Sequence, residues 1–120
     1  MNELDKLRQM LTDANIPFES RQEENNAPFS DLQWAREESG EACKWRRNQV
    51  IYGRVKHCGD YLWQWDGICQ YGSYGAKDGM IESYGALGVD SKGQPKVVTA
   101  EEAFKTIKAH YDGRNADVGA

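Results

Sequence analysis

The sequence predicts an α+β fold: a small antiparallel sheet flanked by an N-terminal and a C-terminal helix. Three observations point there. Leu4, Leu7 and Leu11 recur at helical spacing near the start of the chain. Tyr61, Trp63 and Trp65 alternate with Leu62, Gln64 and Asp66, as in a strand with two different faces. Thr99-Ala100-Glu101-Glu102 is a capping box ahead of a second apolar helical stripe. Helix, strands, then helix implies a sheet with one face covered.

The first helix is predicted over about residues 3–14, with Met10 and Ala14 widening its apolar stripe. Asn2 with Asp5 three positions on resembles a capping arrangement. Asn15 tolerates the left-handed conformation and Pro17 disfavours helix at Ile16, so the chain should leave extended through Phe18-Glu19-Ser20. Arg21 to Ala27 read as a polar loop, and Ser30 with Gln33 as the cap of a short helix reaching Arg36 or Glu38, ended by Gly40. Gln49 to Tyr52 is a short strand stopped by Gly53. Tyr61 to Gln70 is the longest strand, with Gly67 marking a bulge. Gly72 to Asp78 forms a loop, Gly79 to Tyr84 the next strand, and Gly85 to Pro95 a surface loop. The last helix is predicted over about residues 100–112, with Ala103, Phe104, Ile107 and Tyr111 on its apolar face and Gly113 as its C′ stop. The expected organisation is one domain over residues 1–113 and a flexible tail over 114–120.

Composition narrows the function classes. Hydrophobic residues at 39% and charged residues at 28% describe a soluble globular domain. The net charge of −4 argues against bulk nucleic-acid binding, which needs a basic surface. The apolar runs are too short for a membrane span, and the N-terminus lacks a signal-peptide layout, so an intracellular protein is expected. Cys43, Cys58 and Cys69 form no C-x-x-C pair, and their spacing with His57 matches no zinc pattern. Reduced cysteines and no bound metal are expected.

No catalytic set assembles. His57 and His110 are the only histidines. His110 near the end of a helix suits the dipole, and no companion motif surrounds it. His57 beside Cys58 would need unusual geometry to act as a dyad. The acidic pairs Glu23-Glu24, Glu37-Glu38 and Glu101-Glu102 are adjacent residues that point apart, so a solvated face explains them. A non-enzymatic chain without a cofactor is expected.

Two segments carry binding chemistry. Residues 70–85 hold four glycines and three tyrosines within 16 residues. Glycine permits close backbone approach and tyrosine supplies a flat ring with a polar tip. Such a segment suits a platform for a planar ligand or a partner protein, and equally a twisted hairpin. Lys44-Trp45-Arg46-Arg47 is a basic-aromatic cluster. Arginine pairs with phosphate and tryptophan stacks on a base, while the plainer reading is a solvated basic patch. Trp63 and Trp65 on one face read as core, or as an exposed apolar patch if the sheet face opposite the helices is open, and the surplus of large aromatics implies a homo-oligomer.

The chain resembles a family of small proteins encoded in phages and prophages, mostly of Gram-positive bacteria. Their pattern is an N-terminal helix ending in a Gly-Ile-Pro-Tyr-like turn, an N-Q-I-I-Y strand, a G-S-Y-G loop, a G-L-L-E strand and a T-A-E-E-V-F helix. The matching residues are Leu4 to Phe18, Asn48 to Tyr52, Gly72 to Gly75, Gly79 to Gly85, and Val98 to His110, roughly half the chain in pieces. Residues 21–47, the run from Tyr61 to Trp65, and Thr106 depart from the pattern. The chain is also similar to the anti-Thoeris sponge proteins, which sequester cyclic ADP-ribose signals without cleaving them. That resemblance implies an oligomer with nucleotide pockets between protomers, acting in the host cell cytoplasm. Within it, chemistry assigns stacking to Tyr74 or Tyr84 and phosphate contact to Arg46 or Arg47. Trp45 and Ser73 complete the expected ligand-binding set.

Two hypotheses follow from the sequence. One is a sponge for a cyclic nucleotide, which needs a concave pocket with aromatic and arginine side chains. The other is an anti-CRISPR-like inhibitor that blocks a host defence protein by surface contact, which needs an exposed patch.

Overall fold

The computed structural model describes residues 2–24 and 45–119. Helix α1 spans Glu3–Asp13, and strands follow at Glu19–Glu24 (β1), Trp45–His57 (β2), Asp60–Ile68 (β3), Ile81–Tyr84 (β4) and Lys96–Val98 (β5). A single 3-10 turn covers Ala76–Asp78, and helix α2 spans Ala100–Gly119. The strands form one sheet in the order β1-β2-β3-β4-β5, every neighbouring pair antiparallel. The α+β fold with terminal helices is therefore present. The short helix expected near Ser30 to Glu38 lies outside the described residues.

Both helices start where their caps require. The Asn2 side chain accepts from the Asp5 N–H at 2.9 Å, satisfying one of the donors that every helix start leaves over. At α2 the Thr99 hydroxyl accepts from the Glu102 N–H at 3.2 Å, and Glu102 accepts from the Thr99 N–H at 3.1 Å. Beyond the C-cap Ala14, Asn15 takes the left-handed conformation at φ 58°, and Pro17 then sends the chain out extended.

One face of the sheet carries the core. Leu4, Leu7 and Leu11 of α1 and Ala103 and Ile107 of α2 pack on Val50, Tyr52, Trp65, Cys69, Ile81 and Val98. Burial removes water from that apolar surface, worth about 1.5–3 kcal/mol per large side chain. Polar groups at the core's edge are paired. Asn48, fully buried, donates to the Cys69 carbonyl at 2.9 Å and accepts from Arg8 at 2.7 Å. Glu3 joins three parts of the chain: its N–H donates to the Gly79 carbonyl at 2.8 Å, and its carboxylate accepts from the Ala100 N–H at 2.9 Å and pairs with Lys6 at 2.8 Å. These donors hold the Glu3 carboxyl below its ordinary pKa, the Lys6 pairing most of all.

Five details differ from the sequence expectation. Arg21 to Glu24 belong to β1 rather than a loop, because an edge strand paired to β2 needs no apolar face. Strand β2 begins at Trp45 and runs to His57 through Gly53, whose φ of 74° is accommodated within the strand, so β2 with 13 residues, and not β3 with 9, is the longest. Gly67 makes no bulge, since the register passes through it unbroken from Val50↔Gly67 to Ile51↔Asp66. Its lack of a side chain serves packing instead: a Cβ there would lie 2.2 Å from Cη2 of Trp65. Lys96–Val98 forms β5 on the sheet's far edge. Finally, α2 continues through Gly113, where a stop was expected, to Gly119.

Candidate ligand-binding site

A recess among the described residues lies where the α1–β1 connection, the overhanging part of the β2–β3 hairpin and the later turns of α2 meet. Its volume is about 410 Å³, within the usual range for small-molecule sites. Each lining side chain has a local cause. Pro17 forces the extended exit that brings Phe18 and Glu19 to the rim. Tyr52 and Arg54, two residues apart on β2, share a face and reach the same recess. Trp63 pairs opposite Arg54 in the β2–β3 ladder. Tyr111 and Arg114 are three residues apart on α2 and so neighbours on its surface. Arg114 occupies a helical position only because α2 passes through Gly113.

The recess is aromatic with a mixed-charge rim. The Arg54 guanidinium lies 5.3 Å from the centroid of the Trp63 ring, a cation–π contact. Arg54 Nη1 stands 4.0 Å from Glu19 Oε1. The Tyr52 hydroxyl is 2.8 Å from His110 Nδ1, and the rings meet edge-on. Burial raises the Tyr52 hydroxyl's pKa, and the positive charge of Arg114 acts in the opposite sense, so Arg114 lies within electrostatic reach of that hydroxyl. Together these groups offer flat apolar walls and two permanent cations, the requirements of a planar anion.

The residues singled out from the sequence lie elsewhere. Trp45 and Arg46 open β2, and their side chains fall outside the described ones. Arg47 is exposed and pairs opposite Glu23 of β1. The pairing of β2 with β3 does bring its start towards the glycine-tyrosine loop: the Asn48 N–H, next to Arg47, donates to the Gln70 side chain at 2.9 Å. Ser73 is spent inside that loop, its hydroxyl accepting from the Gln70 N–H at 2.9 Å and donating to the Gln70 carbonyl at 2.8 Å. Tyr74 is 75% exposed. Tyr84 lies on the sheet face away from the core, where burial and a hydrogen bond to Glu82 push its pKa up to about 12. It shares a recess of about 340 Å³ with Leu62, Trp63 and Asp66. Of the four whose side chains are described, Arg47, Ser73, Tyr74 and Tyr84, Tyr84 alone lines either of these two recesses.

A third hollow, about 440 Å³, lies between α1 and the start of α2, lined by Glu3, Lys6, Gln9, Met10, Thr99, Ala100 and Glu101. It has no aromatic wall, and its Lys6 is committed to Glu3. Sequence reasoning missed Glu19, Arg54 and Arg114. The available signal was the strand pairing that sets Arg54 against Trp63 once the hairpin turn is fixed at Cys58-Gly59.

Comparison with protein-family models gives no match, and searches of curated proteins and of solved structures return no significant match either. No described helix is long and apolar enough to cross a membrane.

Proposed function

We propose that this chain is a binding protein that captures a planar, anionic small molecule and holds it without converting it. The ligand class is a nucleotide of the cyclic ADP-ribose type, and the role is sequestration of an immune signal by a phage-encoded counter-defence protein in the host cytoplasm. The observation that carries this reading is the convergence of Phe18, Tyr52, Trp63 and Tyr111 with Arg54 and Arg114 on one recess of about 410 Å³. Aromatic faces stack on a base whatever its identity, and guanidinium groups bind phosphate bidentately. A sponge needs nothing more, because it acts by stoichiometric capture.

Calorimetry with cyclic ADP-ribose tests the reading. The expected result is one site per chain, with Arg54→Ala and Arg114→Ala each weakening binding about ten- to a hundredfold, or roughly 1.4–2.8 kcal/mol. The ligand should be recovered unchanged after heat denaturation of the protein. Loss of affinity in Arg47→Ala or Tyr74→Ala, with Arg54→Ala unaffected, would move the site to the glycine-tyrosine loop.

A second reading rests on Leu62, Tyr74 and Val97, the exposed large apolar side chains among the described residues. Leu62 and Val97 alternate with the core residues Trp65 and Val98 and so face away from the helices. The Gly75 turn passes directly over Val97. Such a surface suits a protein partner, either a host defence effector or a second copy of this chain. Light scattering at high micromolar concentration separates the homo-oligomer from the monomer.

A further inference from the structure

We infer that Glu19 reads the sugar of the bound nucleotide, its carboxylate accepting from a vicinal diol, so that the pocket takes a ribonucleotide in preference to its dideoxy counterpart. The inference rests on the pocket reading above and adds a specificity-determining residue to it. Glu19 is the acidic side chain lining the recess among the described residues. In a site for an anion, a carboxylate is a liability, since like charges at short range repel. A glutamine or serine would line the wall without that cost.

Support of the fold does not account for it. The contact with Arg54 is 4.0 Å, beyond hydrogen-bond range, and both side chains are about half exposed, at 52% for Arg54 and 47% for Glu19. Exposed pairs of that kind contribute little to stability. The carboxylate thus retains acceptor capacity on both oxygens, which an ionised Glu offers and never supplements with a donor. A ligand consisting only of anionic groups and aromatic rings gains nothing from it. A ribose carries two adjacent hydroxyl donors next to its phosphate, and two carboxylate oxygens accept both. An acidic residue holding ribose hydroxyls is established chemistry in dinucleotide-binding folds. The placement fits: Glu19 sits beside Arg54 at the rim, so a phosphate on the arginine sets its own sugar against the carboxylate.

The test is calorimetry of the full chain with ADP and with 2′,3′-dideoxyadenosine diphosphate. Wild type should bind ADP about tenfold or more tighter than the dideoxy form. Glu19→Gln should lose most of that ratio by weakening ADP while leaving the dideoxy form unchanged or tighter, because a repulsive charge has gone. Glu19→Asp keeps the charge and shortens the reach, so its repulsion stays while its discrimination falls. Far-ultraviolet circular dichroism checks that each variant is folded. Equal binding of both nucleotides by wild type, or an unchanged ratio in Glu19→Gln, overturns the inference while leaving the pocket reading intact. Failure of wild type to bind ADP, its dideoxy form and cyclic ADP-ribose at millimolar concentration overturns both.

Discussion

The Tyr52 hydroxyl lies 2.8 Å from His110 Nδ1, and their rings meet at an interplanar angle of 86°. This pair ties the middle of the sheet to the middle of α2 at the floor of the pocket. Tyr52→Phe keeps the ring packing and removes the hydrogen bond. It should cost about 1 kcal/mol of unfolding free energy in a denaturant titration, with the slope unchanged. A ligand stacked on the ring should lose little affinity in the same variant.

Gly67 and Gly72 should respond differently to alanine. At Gly67 the new methyl meets the Trp65 ring and Ile81 at 2.2–2.8 Å, inside a close-packed core. Gly67→Ala should cost about 1–3 kcal/mol or more. Gly72 has φ of 80°, and a Cβ there would meet nothing within 4 Å, so Gly72→Ala adds no clash and bears backbone strain of about 1–2 kcal/mol. Denaturation midpoints of the two variants give the comparison, and an equal or greater loss at Gly72 would contradict the packing assignment.

Arg8 bridges α1 to the sheet, donating to Asn48 at 2.7 Å and to Ser20 at 2.7 Å. Arg8→Ala leaves the buried Asn48 oxygen without that donor. A loss of about 1–3 kcal/mol is expected. Combining it with Asn48→Ala should be clearly less than additive, and additivity would show that the two residues act independently.

Burial pushes the Cys69 thiol up to about 11, whereas Cys58 is exposed at a hairpin tip. The folded state therefore keeps a proton that the unfolded chain releases near its ordinary pKa of about 8.5. The contribution is fully present below that pH and is lost as pH rises towards 11, at a slope on the order of 1 kcal/mol per unit. Iodoacetamide labelling followed by peptide mapping should modify Cys58 in native protein and Cys69 only after unfolding.

Terminal elements were legible in the sequence because their signals are local. Asn2 with Asp5, and Thr99 with Glu102, each span three residues and declare a helix start without reference to the rest of the chain. Alternation through Trp63 and Trp65 likewise declared β3. Strand β1 was not legible, since all six of its residues are exposed and it has no apolar face to alternate. The stop read into Gly53 failed because glycine's positive φ is as compatible with a twisted strand as with its end. The pocket was least legible of all. Glu19, Arg54 and Arg114 are ordinary surface residues until the hairpin and the extended α2 bring them to one rim.

The junction at Glu3 sets a timetable for folding. Its two backbone-directed bonds reach the Gly79 carbonyl and the Ala100 N–H, so α1 is anchored by partners far along the chain, the second of them 97 residues away. Helix α1 can coil early, but it has no complete seat until α2 begins. Until those distant partners close on it, the leucine stripe Leu4, Leu7 and Leu11 has no complete cover. Contacts of such sequence separation make folding one cooperative event rather than a structure that spreads outward from α1.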